Sequence, residues 1–327
     1  MTMAHPLRLS IAMATYNGAR FLPQQLDSFA AQDRLPDELV VCDDGSSDAT
    51  MDILHAFAAT APFAVRIERN ATNLGFVRNF EKALSLCSGD VIFLSDQDDV
   101  WLPAKLGRVE AEFLADPALM GTINDMIITD GDLNHSGVTQ LGTIRATGFG
   151  EKRFIAGCCA AIRRDMLETL FPFPADNFAH DTWIGDTCEV LSARRILSEP
   201  LQLYRRHGSN ESQWLLSDPN GVSRTQLVLK SGLASPVVAW EAHLTRLSIL
   251  RRWLTDTEPR LRAIGMGPRI KAAGDFITAE ENSYRGRLHL LATSRSTRWF
   301  HILRFWIKGG YAPFSGWQSA VKDMIRP

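Results

Sequence analysis

Through its first hundred residues the chain alternates short apolar runs with segments whose apolar positions recur every three or four residues. Residues 7–14 (LRLSIAMA) form a run of strand length, broken by Thr15-Tyr16-Asn17-Gly18. Residues 21–32 carry Phe21, Leu22, Leu26 and Phe29 at helical spacing. A strand over 38–42 follows the Pro36-Asp37 turn. Ser47 or Asp48 then stands where it can cap a helix through Met51, Ile53, Leu54 and Phe57. Residues 64–68 read as strand, 77–85 as helix and 91–94 as strand. Strands and helices alternating through short connections predict a mostly parallel sheet with helices on both faces.

Beyond Asp99 the pattern changes. Helix is predicted over 103–114, with Pro103 suited to a first turn, and strand over 119–129. Residues 130–150, rich in Gly, Thr and Asp, read as loop, and 154–163 as a mixed apolar segment. Residues 164–170 read as helix, stopped by Pro172 and Pro174; helix over 178–191 and strand over 196–204 follow. From about residue 213 the strand signal ends. Residues 240–254 and 270–291 read as amphipathic helices, the second weakened by Gly274 and Gly286. The chain is thus expected to hold an α/β domain, 1–212, and a helical C-terminal extension, 213–327.

Composition narrows the classes. With 327 residues, 45% hydrophobic and 22% charged, the chain has ample apolar content for a large core. A net charge of -2 argues against nucleic acid as a partner. Five cysteines, an odd number without regular spacing, fit a reducing compartment, and no C-x-x-C pair points to zinc. Cys158 and Cys159 are expected as small buried apolar residues rather than as a bridge. No apolar run is long enough for a signal peptide or a spanning helix, so the expected location is cytoplasmic, or peripheral on the cytosolic face of a membrane.

Two strands end abruptly in acids: Val40-Val41-Cys42-Asp43-Asp44-Gly45-Ser46-Ser47-Asp48 and Val91-Ile92-Phe93-Leu94-Ser95-Asp96-Gln97-Asp98-Asp99. Clustered carboxylates repel and cost desolvation unless paired or bound to a cation. Ligands bind at the carboxyl ends of strands in open α/β sheets, so both runs should face one site. In Asp96-Gln97-Asp98-Asp99, strand geometry would aim Asp96 and Asp98 to one side, where two hard oxygens suit Mg²⁺ or Mn²⁺. An EF-hand is excluded, because its sixth and twelfth positions are Trp101 and Gly107. A solvated acidic turn is the plain alternative. Asp43-Asp44-Gly45-Ser46 reads both as a turn with a helix cap and as a place for Asp44 to accept a hydrogen bond from a ribose or base. The phosphate loops G-x-G-x-x-G and G-x-x-x-x-G-K-[ST] are absent.

The four blocks Ser10–Asn17, Val41–Asp48, Asn73–Asn79 and Leu94–Asp99 together resemble the ordered signature of glycosyltransferase family 2, the inverting type with the GT-A (Rossmann-like) fold. Asn177–Trp183 and Tyr204–Asn210 look like the H-D-x-W and Y-R-x-H-G-x-N elements of bacterial rhamnosyltransferase-like members. The likeness covers about residues 7–212. It implies a nucleotide-sugar pocket of Thr15, Tyr16, Asn17, Asp43, Asp44, Asn73, Arg78, Ser95, Asp96 and Gln97. Thr15, Tyr16 and Asp44 would lie at the base, and Arg78 near the base or diphosphate. It further implies metal ligation by Asp96, Asp98 and His207, with Asp98 the more direct ligand, and a catalytic carboxylate at Asp181. His180 stands where many members carry Glu, a departure that weakens any role resting on a Glu-Asp pair. Asp99, Trp101, Gly157, His180 and Trp183 would be acceptor or sugar contacts. Taken alone, His180 reads as a positioning or packing residue, His207 is also readable as a surface histidine beside Arg205 and Arg206, and Trp101 and Trp183 as core residues or stacking platforms.

Single-displacement sugar transfer needs one base for the acceptor hydroxyl and one cation for the departing diphosphate, which these residue types supply. The expected function is transfer of a sugar, rhamnose from dTDP-rhamnose before a UDP-sugar, to a cell-surface glycan or lipid-linked glycan. Two rivals stand beside it. A donor-forming nucleotidyltransferase should carry a Gly-rich basic loop, which Met13–Gly18 lacks; a non-catalytic nucleotide-sugar-binding subunit would keep the pocket only. Residues 294–327 interleave aromatics with six Lys or Arg and one Asp, a pattern that fits either a membrane-lying segment or packing on the catalytic domain.

Overall fold

The computed structural model describes residues 6–147, 150–151, 154–175, 178–208, 236–314 and 316–326. The chain packs as two compact units, 1–173 with 178–221, and 174–177 with 222–327. The boundary expected near 212 lies outside the described residues.

The first unit is built on a nine-stranded mixed sheet. Its strands are β1 (Leu9–Thr15), β2 (Glu38–Asp43), β3 (Ala64–Arg69), β4 (Val91–Ser95), β5 (Val100–Trp101), β6 (Gly121–Thr129), β7 (His135–Thr139), β8 (Ala160–Arg163) and β9 (Arg194–Arg205). The order is β3-β2-β1-β4-β8-β6-β9-β5, with β7 paired to β6. β3, β2, β1 and β4 are mutually parallel, as the alternation predicted. β8 then runs antiparallel to both β4 and β6. β6 and β9 pair in parallel, and β5 returns against β9.

The helices of this unit are α1 (Leu22–Ala30), α2 (Thr50–Ala58), α3 (Phe76–Leu86), α4 (Lys105–Ala115), α5 (Gln140–Thr147), α6 (Arg164–Glu168) and α7 (His180–Val190). The main core joins Leu9, Ile11, Met13, Leu39, Val41 and Phe93 of the sheet to Leu22, Leu26, Phe29, Leu106 and Phe113 of the helices. Burying each such side chain contributes about 1.5–3 kcal/mol. Because β1, β2 and β4 are parallel, Thr15, Asp43 and Ser95 end at the same sheet edge, and the loops after them converge there.

Two sequence readings are corrected in this unit. Residues 130–150 are not simply loop: they hold β7 and α5, whose backbone pairing and Leu141 and Ile144 packing supply order that their low apolar content concealed. Residues 154–163 contain a 3₁₀ turn, Gly157–Cys159, running into β8.

The second unit is helical: α8 (Val237–Asp256), α9 (Glu258–Ala263), α10 (Gly267–Ala292), α11 (Arg295–Ile307) and α12 (Trp317–Ile325). α10 runs unbroken through Gly274 and Gly286. Gly286 serves contact, since a Cβ there would lie 2.3 Å from Cε2 of Phe305. Buried Arg287 forms a two-bond pair with buried Asp323, at 2.7 and 2.8 Å. Its guanidinium lies 4.2 Å from the ring centroids of both Trp240 and Phe314.

Candidate active site

Most polar residues of the sequence blocks are spent on building the loops at the sheet edge. Thr15 donates its hydroxyl to Asp43, whose other oxygen accepts the Gly45 and Ser46 N–H groups. Asn17 adopts a left-handed φ of 48°, a conformation Asn tolerates, and accepts the Ser47 N–H on its side chain. Asn73 donates to the Asp44 carbonyl and accepts from Gly75. Ser95 is buried, donating to the Asp96 carbonyl and accepting from Gln25.

Asp44, expected at the base, is engaged with neighbouring loops. It is buried, and its carboxylate accepts from Asn70 Nδ2 and the Leu74 and Gly75 N–H groups at 2.8–2.9 Å, so it shapes the 73–75 turn. Gln97 is likewise a staple. Its amide accepts the Tyr16 N–H at 2.9 Å and donates to the Tyr16 carbonyl at 3.0 Å. Gly18 admits it, because a Cβ there would lie 2.2 Å from Gln97 Oε1. The Tyr16 side chain itself stays 51% exposed at the mouth of the site. Arg78 pairs with Glu81 and donates to the Phe173 carbonyl at 3.0 Å.

The acidic loop splits by function. β4 ends at Ser95, so strand alternation does not set the directions of Asp96 and Asp98 as the sequence implied. Asp98 meets His207 Nε2 at 2.8 Å, and the His207 ring lies 4.6 Å from that of Phe21. Asp99 turns inward and is fully buried; its oxygens accept from Gln202 Nε2 at 2.9 Å and Arg205 N–H at 3.1 Å. Burial, reinforced by Asp98, pushes its carboxyl up to about 7. Asp99 is therefore not an acceptor contact. Asp96 is raised well above the usual carboxylate range by burial, then by Asp98, Asp99 and Asp181. That last influence puts Asp181 within electrostatic reach of the acidic loop.

Beneath the loop lies a residue that sequence reading missed. Lys105 is buried, donates to the Cys158 carbonyl at 2.9 Å and to Gln202, and sits 3.8 Å from the Trp101 ring centroid. Burial lowers its pKa to about 8. The signal was present: Lys105 falls on the same stripe of α4 as Val109 and Phe113, the apolar face. Trp101 is enclosed among Phe29, Phe93 and Lys105, and Trp183 by Phe178 while donating to the Leu170 carbonyl. Both are core residues and present no face to a sugar.

The 157–159 turn joins the two halves of the site. Cys158 Sγ lies within 4.8 Å of ligand atoms of Asp96 and Asp99. Gly157 lies against the start of α7: a Cβ there would approach His180 Nε2 to 2.7 Å and Asp181 Cβ to 3.3 Å. His180 is only 7% exposed, stacked on Phe80 at 4.0 Å, and neither ring nitrogen has a hydrogen-bond partner. Burial lowers its pKa and keeps it neutral. Asp181 is in the first turn of α7; its Oδ1 accepts the Thr182 N–H, and its Oδ2 carries no hydrogen bond among the described residues. An apolar recess lined by Ile123, Ala156, Ala161 and Ile184 adjoins it.

The donor set fits a hard divalent cation. Each Asp99 oxygen accepts one hydrogen bond, and the Cys158 thiol is held protonated by Cys159 and burial. Among the described residues, the trio whose ligand atoms lie within 4.8 Å of one another is Asp96, Asp99 and Cys158, not the Asp96, Asp98 and His207 expected from the sequence; its two carboxylates are oxygen chemistry suited to Mn²⁺ or Mg²⁺.

Residues 10–171 match the sequence profile of glycosyl transferase family 2. An uncharacterized glycosyltransferase of Nostoc sp. is 30% identical over 221 residues, 62% of this chain and 66% of that protein. The dTDP-rhamnosyl transferase RfbG of Shigella flexneri is 34% identical over 98 residues, 29% of this chain and 34% of that protein. The chain thus spans just under two thirds of the first relative and about a third of the second. The structure of Staphylococcus aureus TarS in complex with UDP aligns with a TM-score of 0.52 at 17% identity, covering 85% of this chain and 91% of that one, a likeness of fold. The fold is an α/β sheet flanked by helices of the GT-A kind, and residues 10–171, just under half of the chain, are similar to glycosyl transferase family 2.

Proposed function

We propose that this protein is an inverting, divalent-metal-dependent glycosyltransferase that moves a sugar from a nucleoside-diphosphate donor to a glycan or lipid-linked glycan of the cell surface. The observation that supports this most is Asp181, with one carboxylate oxygen unengaged, within electrostatic reach of the acidic loop at the strand ends. Asp181 accepts the proton of the acceptor hydroxyl as its oxygen bonds to the anomeric carbon and the bond to the diphosphate breaks, inverting that carbon. The hydroxyl becomes acidic only in the transition state, so an ordinary carboxylate suffices. The carboxylates of the acidic loop, Asp96 with Asp98 and Asp99, would hold Mn²⁺ or Mg²⁺. The cation supplies charge neutralisation for the departing diphosphate. Gln97 holds Tyr16 across the cleft mouth, and the buried Lys105–Gln202–Asp99 set fixes the loop from below. The Shigella relative favours dTDP-rhamnose as donor, with a UDP-sugar as the alternative.

Thermal unfolding with a panel of nucleoside diphosphates, with and without Mn²⁺, tests the donor and the metal. A ligand bound only to the folded state raises Tm. Stabilisation by dTDP or UDP that needs Mn²⁺ and is lost in Asp98→Ala is expected. Asp181→Asn should keep that stabilisation while transfer falls by about 10²–10⁴-fold. Unchanged glycan synthesis in the Asp181→Asn strain would instead favour a binding subunit. Turnover of a nucleoside triphosphate with a sugar 1-phosphate would favour a nucleotidyltransferase.

A further inference from the structure

α11 and α12 each bury one face and expose an apolar one. On α11, Arg298 and Ile302 are buried, while Trp299, Leu303 and Trp306 are exposed and Ile307 is 77% exposed. On α12, Ser319, Ala320 and Asp323 are buried, while Trp317, Val321 and Met324 are exposed. The i, i+4, i+7 spacing makes each exposed set a single stripe. A soluble surface seldom leaves two neighbouring helices with large apolar stripes in water.

Charge says what covers them. Residues 222–327 carry 17 of the 35 Lys and Arg of the chain but 7 of its 37 Asp and Glu. The one acid of 294–327, Asp323, is fully buried, held by Arg287, Arg326 and the Tyr311 hydroxyl. The outward side chains described in this segment are therefore apolar, cationic or uncharged polar, with no acid among them. Arg295, Arg304, Lys308 and Lys322 have no acidic partner among the described residues. A second copy would bring like charges together. An acidic protein would match the cations but not the tryptophan stripe. A bilayer with anionic head groups satisfies both. At 13 and 9 residues, α11 and α12 are about 20 and 14 Å long, too short to cross a membrane core of about 30 Å. No helix among the described residues is long and apolar enough to span.

We propose that the exposed stripes of α11 and α12 lie in the head-group region of a membrane bearing anionic phospholipid, with the flanking Arg and Lys on the lipid phosphates. This deepens the lipid-linked acceptor reading above, but its test uses no transfer reaction and no donor. The full chain is mixed with vesicles of phosphatidylcholine alone or with about 30% phosphatidylglycerol, at low salt and at about 0.5 M NaCl, and co-sedimentation is measured. Binding to the anionic vesicles, weakened by salt, is expected. Trp306→Glu/Trp317→Glu should lower the partition coefficient about tenfold or more, and Arg304→Glu/Lys308→Glu should do the same on anionic vesicles only. The altered side chains are exposed, so Tm and the nucleoside-diphosphate thermal shift should stay as in the parent. Failure of the parent chain to bind anionic vesicles, equal binding by the variants, or a stable dimer that the Trp→Glu pair dissolves while vesicles are ignored would each overturn the proposal.

Discussion

Replacing Gly157 by Ala probes the junction on which the proposed catalysis rests. The added methyl would start 2.7 Å from His180 Nε2 and 3.3 Å from Asp181 Cβ. Carbon atoms settle about 3.5–4.0 Å from their neighbours, so the imidazole must retreat by nearly 1 Å. It has no free direction, because the ring is stacked on Phe80 at 4.0 Å and edged by Phe76 at 6.0 Å. Overpacking of this kind costs about 1–3 kcal/mol. The displaced residue is the immediate neighbour of Asp181, and a shift near 1 Å at a reacting group costs about 10²-fold in rate. Urea unfolding and turnover of the nucleotide sugar measure the two effects separately. A double-mutant cycle with His180→Ala sharpens the test: removing the imidazole opens the space the methyl needs, so the pair should be less destabilised than the sum by about 0.5–3 kcal/mol. Additivity within about 0.5 kcal/mol, with Gly157→Ala turning over at the parental rate, would refute the packing argument.

Three further outcomes follow from the same geometry. Lys105→Met should lose about 2–4 kcal/mol in chemical denaturation, because it strands the Cys158 carbonyl and the Gln202 amide oxygen in the core. Gly18→Ala should displace the Gln97 amide and free Tyr16, raising KM for the donor about tenfold with Tm nearly unchanged, because the staple lies at an exposed loop. His180 is neutral in the fold with a lowered pKa, so the unfolded chain binds the extra proton first. Stability should fall as pH drops below about 6.5, and in His180→Leu the Tm difference between pH 5.5 and 7.5 should shrink.

Local pattern sufficed for much of this protein. The parallel half of the sheet was legible because β1, β2 and β4 are short apolar runs between helices, buried strands that need no alternation, while the edge strand β3 alternates polar and apolar residues. The four polar blocks pointed to one edge because parallel strands end together. The C-terminal aromatics and cations were visible as composition, yet their division into a buried and an exposed side came from the packing of α11 and α12. β7 and α5 were hidden because their stability lies in pairing with β6 rather than in their own residues.

What the linear chain could not decide is which of three chemically equivalent acids faces the cleft. Asp96, Asp98 and Asp99 are alike in sequence, but β9 brings Gln202 and the Arg205 amide to Asp99 and leaves His207 beside Asp98. Asp44 has the residue type of a base-reading acid, and its two oxygens also accept the Leu74 and Gly75 N–H groups of the 73–75 turn. A carboxylate's partners arrive from distant segments, and its environment, not its identity, sets whether it holds structure, takes a proton or meets a ligand.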